Sequence, residues 1–370
     1  MRKRRDQYVS VLIAGNLINL FSRSTIAVLA VIGSANALAK QTGEQVSANV
    51  IQLKALSEQS DPPVVTAISV SPLGDLIAAA GDDHAIRIVS LASGKTLSTL
   101  LGHTDWVQCV EFSPSGNQLA SCGHDGTLRT WKLTDSPKMT DVKTVAHALL
   151  SLVYTDEATI YTAGFDRNIY RSTGSESKLT IAHSCDCKDI RSIASSSDGR
   201  MLAFGGRDGI LRVIHLDNSE PEFAIPIHFD RIRTIRFSED GAQVTSVGED
   251  RRIVHVDLAM RSVVGKTEIG GGKLMGLCQL SQNMFAIAGS DNSIRIVTDL
   301  ENQMMVKLVG HDGSVSILRK AGNKLVSGSF DTTIRVWDIE RAVSDANRQG
   351  RYIHPVAAQF EDSGAGDVIK

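Results

Sequence analysis

Gly123-His124-Asp125-Gly126-Thr127 reads as a tight turn between two strands, because glycine is free to take positive φ and an aspartate carboxylate accepts from the amides of its own turn. The spelling recurs around Asp83, Asp166, Asp208, Asp250, Asp291 and Asp331, so that consecutive aspartates of the seven fall 42, 41, 42, 42, 41 and 40 residues apart. Glycine stands two residues before the aspartate at Gly81, Gly123, Gly164, Gly206, Gly248 and Gly289, and Ser329 takes that place in the seventh copy. A near-constant period of this length marks a repeat architecture.

Around each turn the pattern is strand, not helix. In the second copy 106–112, 118–122 and 127–133 are short and apolar, and Ser113-Pro114-Ser115-Gly116 and the aspartate turn separate them. A fourth strand follows in most copies. Small antiparallel sheets of this kind cannot bury both faces alone, but they can when stacked radially. At this point the chain resembles the WD-repeat family of β-propellers: Gly102-His103 opens a copy, Asp125 sits in its turn and Trp131 follows, and Gly310-His311, Asp331 and Trp337-Asp338 repeat the order. The resemblance runs from about residue 50 to 340, and only Trp337-Asp338 keeps the dipeptide that names the family. The expected fold is all-β, a seven-bladed β-propeller of four-stranded antiparallel blades.

The resemblance implies a structural network of His, Ser, Asp and Trp, complete in two copies: His103, Ser121, Asp125 and Trp131, then His311, Ser327, Asp331 and Trp337. Elsewhere it is partial. The third copy offers His147, Thr162 and Asp166, the fifth His228, Ser246 and Asp250, and the fourth His183 with Asp208; the first and sixth keep little beyond Asp83 and Asp291. Apolar substitutes such as Val89, Val256 and Val297 are expected to fill the degenerate blades.

Residues 1–39 run basic (Arg2-Lys3-Arg4-Arg5), apolar, then small-x-small at Ala37-Leu38-Ala39, the order of a signal peptide cleaved after Ala39. The rival is a membrane anchor over 9–32, which Arg23 and its polar neighbours interrupt. Export to a periplasmic or secreted compartment is therefore expected, with membrane attachment only if the segment stays uncleaved. Its removal takes five basic residues and one acidic from 39 Lys+Arg and 41 Asp+Glu, leaving 34 against 40, which argues against a general nucleic-acid binder. Residues 40–49 read as a linker, 50–340 as the propeller and 341–370 as a disordered tail, with a short helix over 341–347. The segment 50–56 has the place of a fourth strand without a first three, whereas the last copy has three strands and no fourth. Pairing the two closes the ring and removes an open edge.

No motif carries catalysis. Seven equivalent aspartates are explained as turns, and general acid–base work needs groups in different environments beside a pocket. Gly270-Gly271-Gly272-Lys273 lacks the spacing and following Ser/Thr of a phosphate loop and reads as an interblade turn. Of the five cysteines, Cys109 and Cys122 fall almost opposite one another across a hairpin, as core residues or as a pair able to oxidise. Cys185-Asp186-Cys187 beside His183 is half a zinc site. No cofactor and no metal are expected.

In the resembled family, partners dock on the face bearing the aspartate turns, which implies roles for the residue before each aspartate and for residues near the start of each first strand. Here these include His124, Phe165, Arg207 and Phe330, then Trp106, Gln108, Arg191, Arg231 and Arg233. Aromatic and arginine residues are enriched at binding hot spots. The expected function is an interaction scaffold, acting as a monomer, that takes a protein or peptide segment, acidic in character, on this face. The alternative is a propeller enzyme or small-ligand binder using the central channel.

Overall fold

The structure is a computed structural model that describes residues 48–349, apart from 175, 218 and 298–304. The segments read above as signal peptide or anchor, most of the linker, and the tail beyond 349 lie outside the described residues. Seven four-stranded antiparallel sheets form the blades of a ring. The aspartate turn joins second and third strands, as between Gln118–Gly123 and Thr127–Lys132 in blade two.

The strand Asn49–Gln52 supplies the fourth strand of blade seven, running antiparallel to Thr333–Asp338 with Ile51 opposite Ile334. It ends at Gln52, earlier than the sequence suggests; Leu53 still donates its amide to Thr332 O, and its side chain is fully buried. The C-terminal helix spans Ile339–Gln349 and packs Ile339 and Ala342 on blade seven.

The apolar interior is not one core. It is divided into seven clusters, one at each interface between neighbouring blades. The aspartate-plus-six position always faces the preceding blade. Trp131 and Trp337 fill it in blades two and seven, while Val89, Val256 and Val297 fill it, fully buried, in blades one, five and six. Blade three departs from the apolar expectation. There Ser172 takes the place and accepts from Lys143 Nζ of blade two at 2.6 Å, and the same amine donates to Thr173 O at 3.0 Å. A buried ammonium satisfied by neighbouring oxygens replaces the missing indole.

Interblade polar bonds fasten the ring nearer its axis. Ser69 accepts from the Phe112 amide at 3.1 Å, Ser151 from Ile193 at 3.2 Å and Ser192 from Ile235 at 3.0 Å.

Candidate functional site

The aspartate turns are held by their own blades. His103 meets Asp125 through Nδ1 and Ser121 through Nε2, both at 2.8 Å, and Trp131 Nε1 donates to Ser121 Oγ at 2.9 Å. His311, Asp331, Ser327 and Trp337 repeat this geometry at 2.8, 2.8 and 2.9 Å. In blade five His228 meets Asp250 at 2.8 Å and Ser246 at 2.9 Å. Burial alone would raise the Asp331 carboxyl, but bonds from Thr333, the Asp312 amide and His311 bring it down to about 2. Asp125 is lowered further, against burial, by His103 and Thr127.

Two of the partial networks are built differently from the sequence expectation. His183 does not reach Asp208. It lies on the outermost strand of blade three, Thr180–Ser184, where Nε2 meets Glu222 of blade four at 2.8 Å, while Asp208 pairs with Arg212 at 2.8 Å. His147 is exposed; Asp166 is bound instead by Tyr170 Oη at 2.5 Å and Asn168 Nδ2 at 3.0 Å, and Thr162 donates to Ser151 O at 3.0 Å. Asp83 and Asp291 are held by Arg87 and Arg295. An arginine four residues after the aspartate returns along the third strand to the turn, and Tyr170 does the same in blade three.

The rim beside these turns is shaped by a repeated backbone irregularity. The innermost strand of six blades carries a β-bulge at one register, just after Val65, Val107, Leu149, Ile232, Leu274 and Val315. A bulge leaves one residue out of the ladder and re-aims its side chain. The residues so placed are Thr66, Gln108, Leu150, Arg233, Met275 and Ser316, and all line the central channel, with Arg191 at the matching place in blade four.

Of the nine residues singled out for binding, Trp106, Gln108, His124, Phe165, Arg191, Arg233 and Phe330 line this channel, whereas Arg207 and Arg231 stand outside it. Trp106 stacks on His124 with centroids 5.8 Å apart, His124 meets Phe165 at 5.9 Å, and the Arg191 guanidinium lies 4.4 Å from the Phe165 centroid. Rings and a cation thus run unbroken across blades two, three and four. Trp106, Phe165 and Phe330 are 46%, 40% and 45% exposed.

The basic arc is not a free solvated surface. Arg191 Nε lies 2.9 Å from Asp189 Oδ2 and Arg207 Nε lies 3.6 Å from it, while Glu249 is met by Arg231 at 2.8 Å, Arg233 at 3.6 Å and Lys273 at 2.5 Å. Burial would raise Glu249, but Lys273 and the arginines hold it below the ordinary carboxylate range. For Arg233, burial first, and then Arg191 and Arg231 against Glu249, lower the guanidinium. Five cations therefore face two buried carboxylates, and these two clusters together keep a positive surplus. Sequence reasoning missed Asp189 and Lys273 as site residues, and it placed Glu249 on the implied face without singling it out. Glu249 stands before an aspartate like His124 and Phe165, so its position carried the signal.

Cys109 and Cys122 sit directly opposite in the ladder as free thiols, and Cys185 and Cys187 are joined as a disulfide. Among the described residues no group of three or more His, Cys, Asp or Glu side chains is arranged to hold a metal ion.

Residues 51–90, 94–132, 175–215 and 302–338 match the family model described as WD domain, G-beta repeat. The chain is 27% identical, over 72% of its length, to ribosome biogenesis protein YTM1 of Candida albicans, covering 60% of that protein. It is also 27% identical, over 80% of its length, to nuclear distribution protein nudF 1 of Talaromyces marneffei, covering 63%. To apoptotic protease-activating factor 1 of Danio rerio it is 24% identical over 66% of its length, covering 19%. The chain spans less than two thirds of each of these relatives. Blades three, five and six fall largely outside the matched stretches, yet each is a complete four-stranded sheet.

Proposed function

Taking the chain as a member of the WD-repeat β-propellers, with four matched repeats and seven blades, we propose that it is a protein-binding scaffold whose aspartate-turn face takes a peptide segment carrying a carboxylate beside an apolar side chain. The observation that carries this reading is the run Trp106, His124, Phe165, Arg191 at the channel mouth, next to cations in excess of their carboxylates. A half-exposed ring excludes water from an incoming apolar group, while an arginine fork receives a carboxylate in two parallel bonds. Binding, not catalysis, is the proposed role. The relatives named as a ribosome biogenesis and a nuclear distribution protein support a scaffold in general terms and do not identify the partner.

The proposed compartment is exported, supported by the order of residues 1–39 alone. One preparation tests both readings. The full chain is recovered from its native cells with its bound protein, and its own N-terminus is sequenced; a start at Lys40 supports export, and a retained Met1 removes it. The recovered partner is then titrated against wild type and against Phe165→Ala combined with Arg207→Ala. Arg207 is the better choice because its side chain is 53% exposed, whereas that of Arg191 is 15% exposed and bonded to Asp189. A hot-spot loss of ~2 kcal/mol or more corresponds to about thirtyfold weaker binding. Unchanged affinity in a variant that melts like wild type would place the partner on another face.

A further inference from the structure

The innermost strands place one residue each at a second common register, Ser69, Glu111, Val153, Ala194, Arg236, Cys278 and Arg319, and all of these but Ser69 and Cys278 line the channel. Two arginines share this ring with one acid. Arg319 Nη2 lies 3.6 Å from Glu111 Oε2, whereas Arg236 has no ion pair among the described residues. Among the described residues each guanidinium makes one hydrogen bond, Arg236 to Ile235 O at 2.9 Å and Arg319 to Leu318 O at 3.1 Å, which leaves most of their donors open where both side chains line the channel.

Burial, and next the charge of Arg319, push Arg236 down to about 10, since taking a cation out of water beside a like charge disfavours its charged form. A scaffold that only needed to fill the axis would be served by the Val153 and Ala194 found elsewhere in the ring. The channel encloses about 1090 Å³, ample for a small ligand with part of its hydration.

We propose that the channel, at the depth of Arg236 and Arg319, is a binding site for a small free oxyanion of the phosphate class, held between the two guanidiniums. Glu111 is then a competitor for Arg319 that sets the affinity. The site is separate from the rim and does not depend on the partner proposed there.

Inorganic phosphate is the probe, titrated into the full chain while the melting temperature is followed, with sodium chloride at matched ionic strength as the control. A ligand that binds only the folded state raises the melting temperature with its concentration. Phosphate is expected to raise it and chloride not. Arg236→Gln and Arg319→Gln should each weaken the apparent phosphate affinity at least tenfold, whereas Glu111→Gln should strengthen it. That opposite sign separates a ligand site from a structural ion cluster, in which all three changes would alter the melting temperature and leave the phosphate response as in wild type. A phosphate response equal to that of chloride, or one untouched in all three variants, overturns the proposal. A response confined to a phosphoserine peptide and absent with inorganic phosphate also overturns it, because the anion would then belong to a partner.

Discussion

Among the described residues one buried ring nitrogen, Nε2 of His255, is left without a hydrogen-bond partner. His255 is 3% exposed; its Nδ1 meets Thr245 Oγ1 at 2.9 Å, its ring meets the edge of Phe285 at 5.1 Å, and its Nε2 has no partner. His103, His228 and His311 by contrast are each clamped between a carboxylate and a hydroxyl. Burial accordingly pushes His255 from 6.5 down to about 4. The sign follows from proton counting. Between these values the unfolded chain binds a proton that the folded chain refuses, so stability is full above about pH 6.5 and falls as the pH drops toward 4. A shift of this size is worth roughly 3 kcal/mol at the lower end. The Asp331 contribution has a separate window, since its folded value of about 2 lies below the ordinary 3.8 and its stabilisation is lost only beneath that. Burial also lowers His311, against the pull of Asp331, so His255→Phe is expected to make the decline of melting temperature between pH 6.5 and 4 shallower without abolishing it, with the loss below 4 retained. Parallel wild-type and variant curves across that interval would assign the acid sensitivity elsewhere. The clamped histidines were legible because three or four letters at fixed offsets spelled their network, whereas His255, and Lys143 on Ser172, satisfy no recurring pattern.

At the scale of the element, turn and bulge divide the work. The residue after the aspartate is left-handed in six copies, with φ of 66° at His84, 70° at Gly126, 71° at Gly209, 65° at Arg251, 63° at Asn292 and 70° at Thr332. Only two of these are glycine. An L-residue there costs roughly 1–2 kcal/mol, while a glycine adds roughly 0.5–1 kcal/mol of unfolded-state entropy to be overcome. The strain is the larger quantity. His84 makes no hydrogen bond or ion pair among the described contacts, so His84→Gly should stabilise the protein by about 0.5 to 1 kcal/mol and raise its melting temperature by a degree or more; a lower melting temperature would show that the imidazole contributes packing the strain argument omits. The turns themselves could be read from the sequence, because glycine and aspartate are chemically required there. The bulges could not. Thr66, Gln108, Leu150, Arg233, Met275 and Ser316 share no side-chain property, since a bulge demands only an unpaired peptide. The rim was therefore legible as a set of positions, and the ion clusters on Asp189 and Glu249 were not, because they depend on charged side chains that meet from different strands and turns and follow no repeated spelling.

For the whole molecule, the period alone was enough to count seven blades, since a sheet that recurs every forty or so residues has nowhere to bury its second face except its neighbour. The closing strand was legible by the same logic, as a strand short at one end of the chain and spare at the other. Seven interblade clusters make the ring only as strong as its one noncovalent seam, where Asn49–Gln52 meets Thr333–Asp338. Ile51 is the residue that seals it. It is 8% exposed and packs with Leu53, Val65, Val326 and Val336 in the cluster between blades seven and one, whereas its neighbour Val50 is 52% exposed. Ile51→Asp places an unpaired carboxylate in that cluster at a cost of roughly 3 kcal/mol or more, which favours release of the short strand over unfolding of a blade. Release bares the edge of Thr333–Asp338, and an unpaired edge is a template for another chain. The variant is thus expected to melt several degrees lower and to form concentration-dependent oligomers in light scattering beyond the wild-type state, while Val50→Asp, facing solvent on the same strand, scatters and melts like wild type. If Ile51→Asp stays monomeric with an unaltered melting temperature, the seam carries little of the ring's stability, and the six covalently continuous interfaces hold the propeller closed without it.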